Sequence, residues 1–287
     1  PLIATRTSTA PTRTAGIVCP CLTLTGILSI AVFNHSDLKQ MTIASTPATL
    51  PYLRTHIRDL LNEFDAADAL ASYYALHHDT ARTELFLYRN TEGSVEGFLA
   101  RCRTGFDLFR PLVTLRVRGK RALPLLLREG LQAGRPYLLS APEKLALEME
   151  ALIALSEVSH NVILRLDPER FQPMINVLVV RNQSLNGTPR ALIQQGEQSV
   201  AVAGVNWRSP VFAEIYVQVD RAHQGRGFGR AVASAVVAEL LKQHVTPVYS
   251  VAEHDTASRE LALSLGFVDT GAREVMAQAV YLEQNQD

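Results

Sequence analysis

Three cysteines, an odd number, are too few for a disulfide framework, and Cys19, Cys21 and Cys102 show no repeated spacing of the kind a zinc site requires. The eight histidines are scattered away from Cys or carboxylate partners at ligand spacing, so no metal is expected and the adjacent His77 and His78 read as a solvated helix end. Net charge is also lacking: the formal value is +0, without the basic excess that a phosphate backbone demands, which argues against a nucleic-acid partner. No uninterrupted apolar run is long enough for a membrane helix. Residues 17–33 come nearest, behind Arg6 and Arg13, and could be read as a signal peptide or short anchor. Pro20 and several threonines break the run, and no small-x-small cleavage site follows. The preferred reading is that residues 1–47 are a tail or upstream extension, poorly ordered, with Met41 as an ordinary start. That leaves a chain without a membrane partner, expected in the reducing cytoplasm.

What remains is a globular composition, 47% hydrophobic and 20% charged, and 287 residues are enough for two domains. Apolar residues recur at helical spacing over 53–64 (Leu53, Ile57, Leu60, Leu61, Phe64), and 67–77 reads as a second helix. Strand-like runs follow at 84–88, 95–102 and 112–117, the first two joined by the turn Asn90-Thr91-Glu92-Gly93. Then come a helix over 121–133, a strand at 137–140 and a helix over 143–155. Asp167-Pro168 punctuates the chain, because the residue before proline is pushed out of the helical region. Beyond it, strands are predicted at 176–181, 190–195, 199–207 and 212–219, a helix at 231–242, a strand at 247–252 and a last helix over 254–267.

The most informative stretch is 214–230, where a β-rich run passes through a turn with three glycines into a helix. Gly225, Gly227 and Gly229 allow close approach to the backbone, and the amides they would bare sit at a helix N-terminus, where the macrodipole favours an anion such as a pyrophosphate. Arg221, Arg226 and Arg230 add positive charge. The spacing is not the Gly-x-Gly-x-x-Gly of dinucleotide sites, and no Lys-Ser/Thr follows as in a phosphate-binding loop. A purely structural tight turn is the alternative.

Gln224-x-x-Gly227-x-Gly229 resembles the Gln/Arg-x-x-Gly-x-Gly/Ala motif of the GNAT superfamily of N-acetyltransferases, and the closing Leu265-Gly266-Phe267 is similar to that family's Gly-Phe helix terminus. The resemblance implies an α/β (α+β) fold of two GNAT-like domains, each a mixed, mostly antiparallel sheet flanked by helices. Residues 48–166 would be a degenerate copy, since 116–122 holds one glycine, Gly119, where the motif would stand. Residues 167–287 would carry the acetyl-CoA site. They leave little room for the family's first two helices, which suggests that the first half helps to wall the substrate cleft.

The resemblance further implies acetyl-CoA as co-substrate, contacted by Val217, Gln218 and Val219 on the strand, by Gln224, Gly225, Arg226, Gly227, Phe228, Gly229 and Arg230 in the turn, and by Asp255 and Ser258 at the start of the last helix. Acetyl transfer to an amine needs a neutral amine, a polarised carbonyl and a protonated thiolate. A backbone N–H near 217–219 would polarise the thioester. Glu214 would be the general base, partly desolvated on an apolar strand, though it also reads as an outward residue paired with an arginine. The tyrosine that many family members place five residues before the terminal Phe corresponds to Ala262. Tyr249, Tyr216 and Tyr281 are the substitute acids, each also readable as a packed aromatic. The acceptor would be a small-molecule or peptide amine, and a homodimer stays open. A non-catalytic acyl-CoA-binding regulatory module is the alternative function.

Overall fold

The computed structural model describes residues 41–44, 49–105, 107–119 and 121–282. Apart from 41–44, the tail expected over 1–47 lies outside them. Met41–Ala44 form a first strand, β1, paired antiparallel with Leu85–Tyr88, so the sheet takes four residues that the sequence reading assigned to the tail.

The first half continues with a helix, α1 (Leu50–Ile57), whose Leu50, Leu53 and Ile57 are buried. The helix expected over 67–77 is instead composite: a 3₁₀ turn at Ala66–Asp68, a short α2 (Ala69–Ser72) and a π turn at Tyr73–His77. Nor is its end solvated. His78 is buried with Nδ1 at 2.8 Å from Thr83 Oγ1, and burial lowers its pKa to about 4; His77 pairs with Glu63 at 2.6 Å. The strands β2 (Thr83–Arg89), β3 (Val95–Cys102) and β4 (Leu112–Val117) form the expected antiparallel meander. Helix α3 (Ala122–Gly130) returns the chain so that β5 (Pro136–Pro142) lies parallel to β4. After α4 (Glu143–Met149) the expected helix stops early, and Ile153–Leu166 form β6.

The second half repeats this order without the opening helices. Strands β7 (Val180–Gln183), β8 (Pro189–Gln195), β9 (Gln198–Arg208) and β10 (Phe212–Val219) are antiparallel neighbours. Helix α5 (Phe228–Lys242) leads to β11 (Thr246–Ala252), parallel to β10. Helix α6 (Thr256–Ser264) ends before Gly266, and Phe267–Tyr281 form a long strand, β12, where the sequence reading saw only the end of a helix.

The two sheets are joined into one of twelve strands, in the order β1-β2-β3-β4-β5-β12-β6-β11-β10-β9-β8-β7. The long strands β6 and β12 are exchanged between the halves. Glu274–Val280 of β12 pair with β5 of the first half, while Asn161–Arg165 of β6 pair with β11 of the second. Glu274 and Asn161 face each other at the centre of the β6–β12 ladder.

Among the described residues, three large apolar clusters cover this sheet, with a small fourth at Ala146, Val275 and Ala277. One packs α5 and α6 onto β8–β11, through residues such as Val232, Val236, Leu240 and Ala262. A second packs α3 onto β2–β5. The third spans both halves: Leu53, Ile57, Leu70 and Tyr74 of the first half lie in one cluster with Ile163, Trp207, Phe212 and Val248. The helices missing from the second half are therefore replaced on that face by those of the first. Tyr73 stacks on Trp207 with 5.3 Å between ring centres.

Candidate active site

The site is set by where two parallel strands part. β10 pairs with β11 only at Phe212↔Thr246, Ala213↔Pro247 and Glu214↔Val248; beyond Glu214 the edge of 215–219 is paired on the β9 side alone. The cleft so opened leads from Glu214 towards the turn before α5. There Asp220 caps a 3₁₀ turn by accepting from the Ala222 N–H, and Gln224 reaches back to the Val219 carbonyl at 3.5 Å. Gly225 and Gly227 have φ of 73° and 75°, the left-handed region that side chains resist, and nothing lies within 4 Å of a Cβ built on either. Gly227 caps α5 without a side-chain hydrogen bond, so the first helical N–H groups have no partner from the cap. Arg221, Arg226 and Arg230 are exposed and make no ion pair with a described residue. Gly229 is buried, with Val219 and Leu261 against it, and Phe228 stacks on His223. Val217 and Val219 are half-buried and Gln218 is exposed on the parted strand.

Across the cleft, Asp255 caps α6 by accepting from the Ser258 N–H at 3.0 Å, and that interaction with Ser258 holds its carboxyl below the usual range. Tyr249 is buried in the core, edge-on to Phe267 at 6.3 Å, and burial raises its pKa. Ala262, where the family's tyrosine would stand, is fully buried.

Glu214 lies on the face covered by the first-half helices. Its carboxylate accepts from Asn206 Nδ2 at 3.3 Å, and burial pushes its pKa up to about 7, with a further upward contribution from Glu274. The residue keeps some contact with solvent, but its carboxylate faces inward and titrates as a desolvated group. The outward, arginine-paired alternative is not what this strand presents. Glu214 lines a cavity of about 10 Å³, the room of one water, together with Ala66, Leu70, Trp207, Ser250 and Glu274. Ala66 and Leu70 come from the first half, as the shortage of helices in the second suggested.

Glu274 was not legible as a site residue, because β12 was not. It is 3% exposed, and burial raises its pKa while Arg116 opposes the rise. Ser140 Oγ donates to its Oε2 at 3.3 Å, and Arg116 Nη2 stands 3.6 Å from its Oε1. Positions 275, 277 and 279 are buried in alternation in the strand, but Met276 and Val280 between and beside them are apolar too, so the sequence carries no clear alternation here.

The first half repeats the geometry but not the chemistry. Pro142 pairs with Glu274 and Ala252 with Asn161, so the two positions correspond across the halves. Counting four back gives Leu138, opposite Leu112, and Val248, opposite Glu214. Leucine thus stands where the second half has its carboxylate. Ser140 and Ser250 also correspond: one donates to Glu274, and the other accepts from Asn161 at 3.0 Å.

Residues 190–276 match the family model described as FR47-like protein. Solved structures match over most of the chain. A tandem GNAT protein from the clavulanic acid biosynthesis pathway is 14% identical, with 84% of this chain and 98% of that one covered at a TM-score of 0.53. The chain has a tandem GNAT fold. A GCN5-related N-acetyltransferase from Sphaerobacter thermophilus is similar at 14% identity, 83% and 95% coverage and a TM-score of 0.54. A GNAT-family acetyltransferase from Colwellia psychrerythraea, at 9% identity, covers 83% of this chain and 98% of its own at 0.52. No curated protein matches this chain in sequence. Among the described residues, no cluster of His, Cys, Asp or Glu is arranged to hold a metal, and no helix is long and apolar enough to cross a membrane.

Proposed function

We propose that the second half transfers the acetyl group of acetyl-CoA to a primary amine. The observation that carries this reading is the end of β10–β11 pairing at Glu214, which leaves a cleft between a buried carboxylate and a bare helix N-terminus. The pyrophosphate would lie on the turn Gln224, Gly225, Arg226, Gly227, Phe228, Gly229 and Arg230, where unpartnered N–H groups and the helix dipole favour an anion. The pantetheine arm would add to the unpaired edge of Val217, Gln218 and Val219, and a backbone N–H there would polarise the thioester carbonyl. Asp255 and Ser258 would bound the cofactor on the far side through the cap they share. The odd cysteine count keeps the cytoplasm as the compartment proposed.

Glu214, with a pKa near 7, is suited to take a proton at neutral pH. The freed amine attacks the carbonyl carbon, the C–S bond breaks, and the CoA thiolate leaves with a proton. Tyr249 is packed among apolar neighbours, so protonation of the thiolate by water is the simpler route than a tyrosine acid. Free-thiol release from acetyl-CoA with a panel of amines tests the reading. Release with at least one amine, lost in Glu214→Gln, is expected; acetyl-CoA binding without release by any amine would sink it in favour of a regulatory module.

A further inference from the structure

The cavity beneath Glu214, at about 10 Å³, has room for one water and nothing larger. Two buried polar atoms on its walls lack a hydrogen-bond partner among the described residues: the indole Nε1 of Trp207, a donor, and Oε1 of Glu274, an acceptor. Arg116 Nη2 stands 3.6 Å from that oxygen, a contact between charges that is too long for a hydrogen bond. A donor and an acceptor left unpaired around one space are costly to bury, and water is the molecule of that size that serves both. We propose that a single buried water joins Trp207 to Glu214 and Glu274, and that through it Glu274 is a positioning residue, which makes Glu214 the carboxylate of the pair that takes the proton. This concerns the base of the acetyl-transfer reading and rests on that reading for its role in turnover.

Every bond of such a water has a partner. It accepts from the Trp207 N–H and from the hydroxyl of Ser250, whose oxygen already accepts from Asn161 at 3.0 Å and whose own proton no described residue takes. It donates to Glu274 Oε1 and to Oε1 of Glu214, whose Oε2 is the atom that accepts from Asn206. That is the full set a water can make. The two carboxylates then face each other across one molecule, and their surroundings differ. Glu274 has a fixed cation beside it: Arg116 donates to Asp68 at 2.8 Å and to the Ala67 and Leu115 carbonyls, and Ser140 donates to Glu274 Oε2. Apart from Glu274, the groups around Glu214 are neutral: Asn206 and Trp207 on β9, Tyr74 on the π turn, and Tyr249 and Ser250 on β11. Burial raises the pKa of both tyrosines, so neither brings a charge at neutral pH. Two carboxylates so close resist ionising together, and the proton goes to the one without a cation. The causes acting on Glu214 agree: burial raises its pKa, Asn206 opposes the rise, Glu274 adds to it and Trp207 opposes it. Arg116, Asp68 and Ala67 belong to the first half, so the copy without the glycine turn still governs the base of the other.

A high-resolution crystal structure of the full chain tests the water. An NMR titration of the glutamate carboxyl carbons, assigned through bonds to the backbone, tests the proton and needs no turnover. One water within about 3.2 Å of Trp207 Nε1, Glu214 Oε1 and Glu274 Oε1 is expected. In wild type the Glu214 signal should titrate at about 7. Glu274→Gln keeps an oxygen for the water and removes only the charge, so the Glu214 midpoint should fall by about one pH unit, and the acid limb of thiol release from acetyl-CoA should move down with it. A residue that merely props the strand would leave that midpoint where it was. A dry cavity, or an unchanged or raised midpoint in Glu274→Gln, overturns the proposal. Should that variant not fold, wild type decides: Glu274 titrating at neutral pH with Glu214 in the ordinary carboxylate range overturns it, and the reverse order supports it. The two readings fail separately, because absence of thiol release with every amine sinks acetyl transfer while the crystal and the titration still judge the water and the proton.

Discussion

Replacing Glu214 by glutamine should slow the reaction and stabilise the protein at once. A carboxyl whose pKa rises from 4.5 to about 7 on folding binds its proton more tightly in the native than in the unfolded chain. Its contribution to stability is therefore fully present below pH ~4.5 and is lost as pH rises through 7. At ~1.4 kcal/mol per pH unit between the two values, the ionised group costs about 3 kcal/mol at pH 8, reduced to about 2 by the solvent the residue still touches. Glutamine keeps the size and can still accept from Asn206, but never ionises. Urea unfolding of both proteins from pH 4 to 8 should show equal stability at pH 4 and an advantage for Glu214→Gln of about 2 kcal/mol at pH 8. Over the same range, turnover of the variant should fall by about 10²–10⁴-fold, as for removal of a positioned base, and the deficit should shrink as more amine becomes neutral. A variant less stable than wild type at pH 8, or a stability difference that does not change with pH, would refute the desolvated carboxylate and with it the base assignment.

Gly227→Val should abolish measurable acetyl-CoA binding in calorimetry, since a branched residue resists φ of 75° and would fill the space left open at the turn; unchanged affinity in a folded variant would move the site elsewhere. Titration should give one CoA per chain, because the first half has Leu112 at the position of Glu214 and only Gly119 in its turn; two per chain would contradict this. The second half alone, residues 167–287, should fail to give a cooperative unfolding transition, because Asn161–Arg165 of β6 are missing from between β11 and β12. A folded, CoA-binding fragment would show the strand exchange to be dispensable.

Local signals in the chain determined the parts of this protein that depend on neighbours in sequence. The glycine spacing at 225–229 demanded a turn that only glycine tolerates, and β3, β4 and β10 were bounded by their own alternation, so their ends were read to the residue. Glu214 was legible as a base through the resemblance of its strand to the family's, while the sequence alone allowed an outward residue paired with an arginine equally well. The sequence was silent where partners are distant. Alternation tells which face a residue takes but not which strand lies beside it, so β6 and β12 could not be seen to change places, nor two sheets to become one. Glu274 followed the same rule: between Arg273 and Val275 it looks like any solvent-facing strand residue, and only the exchange of β12 into the first half, under Ala66 and beside Arg116, buries it facing Glu214. A buried charge costs free energy that no short stretch of sequence records, and the tertiary structure alone decided that this one is kept.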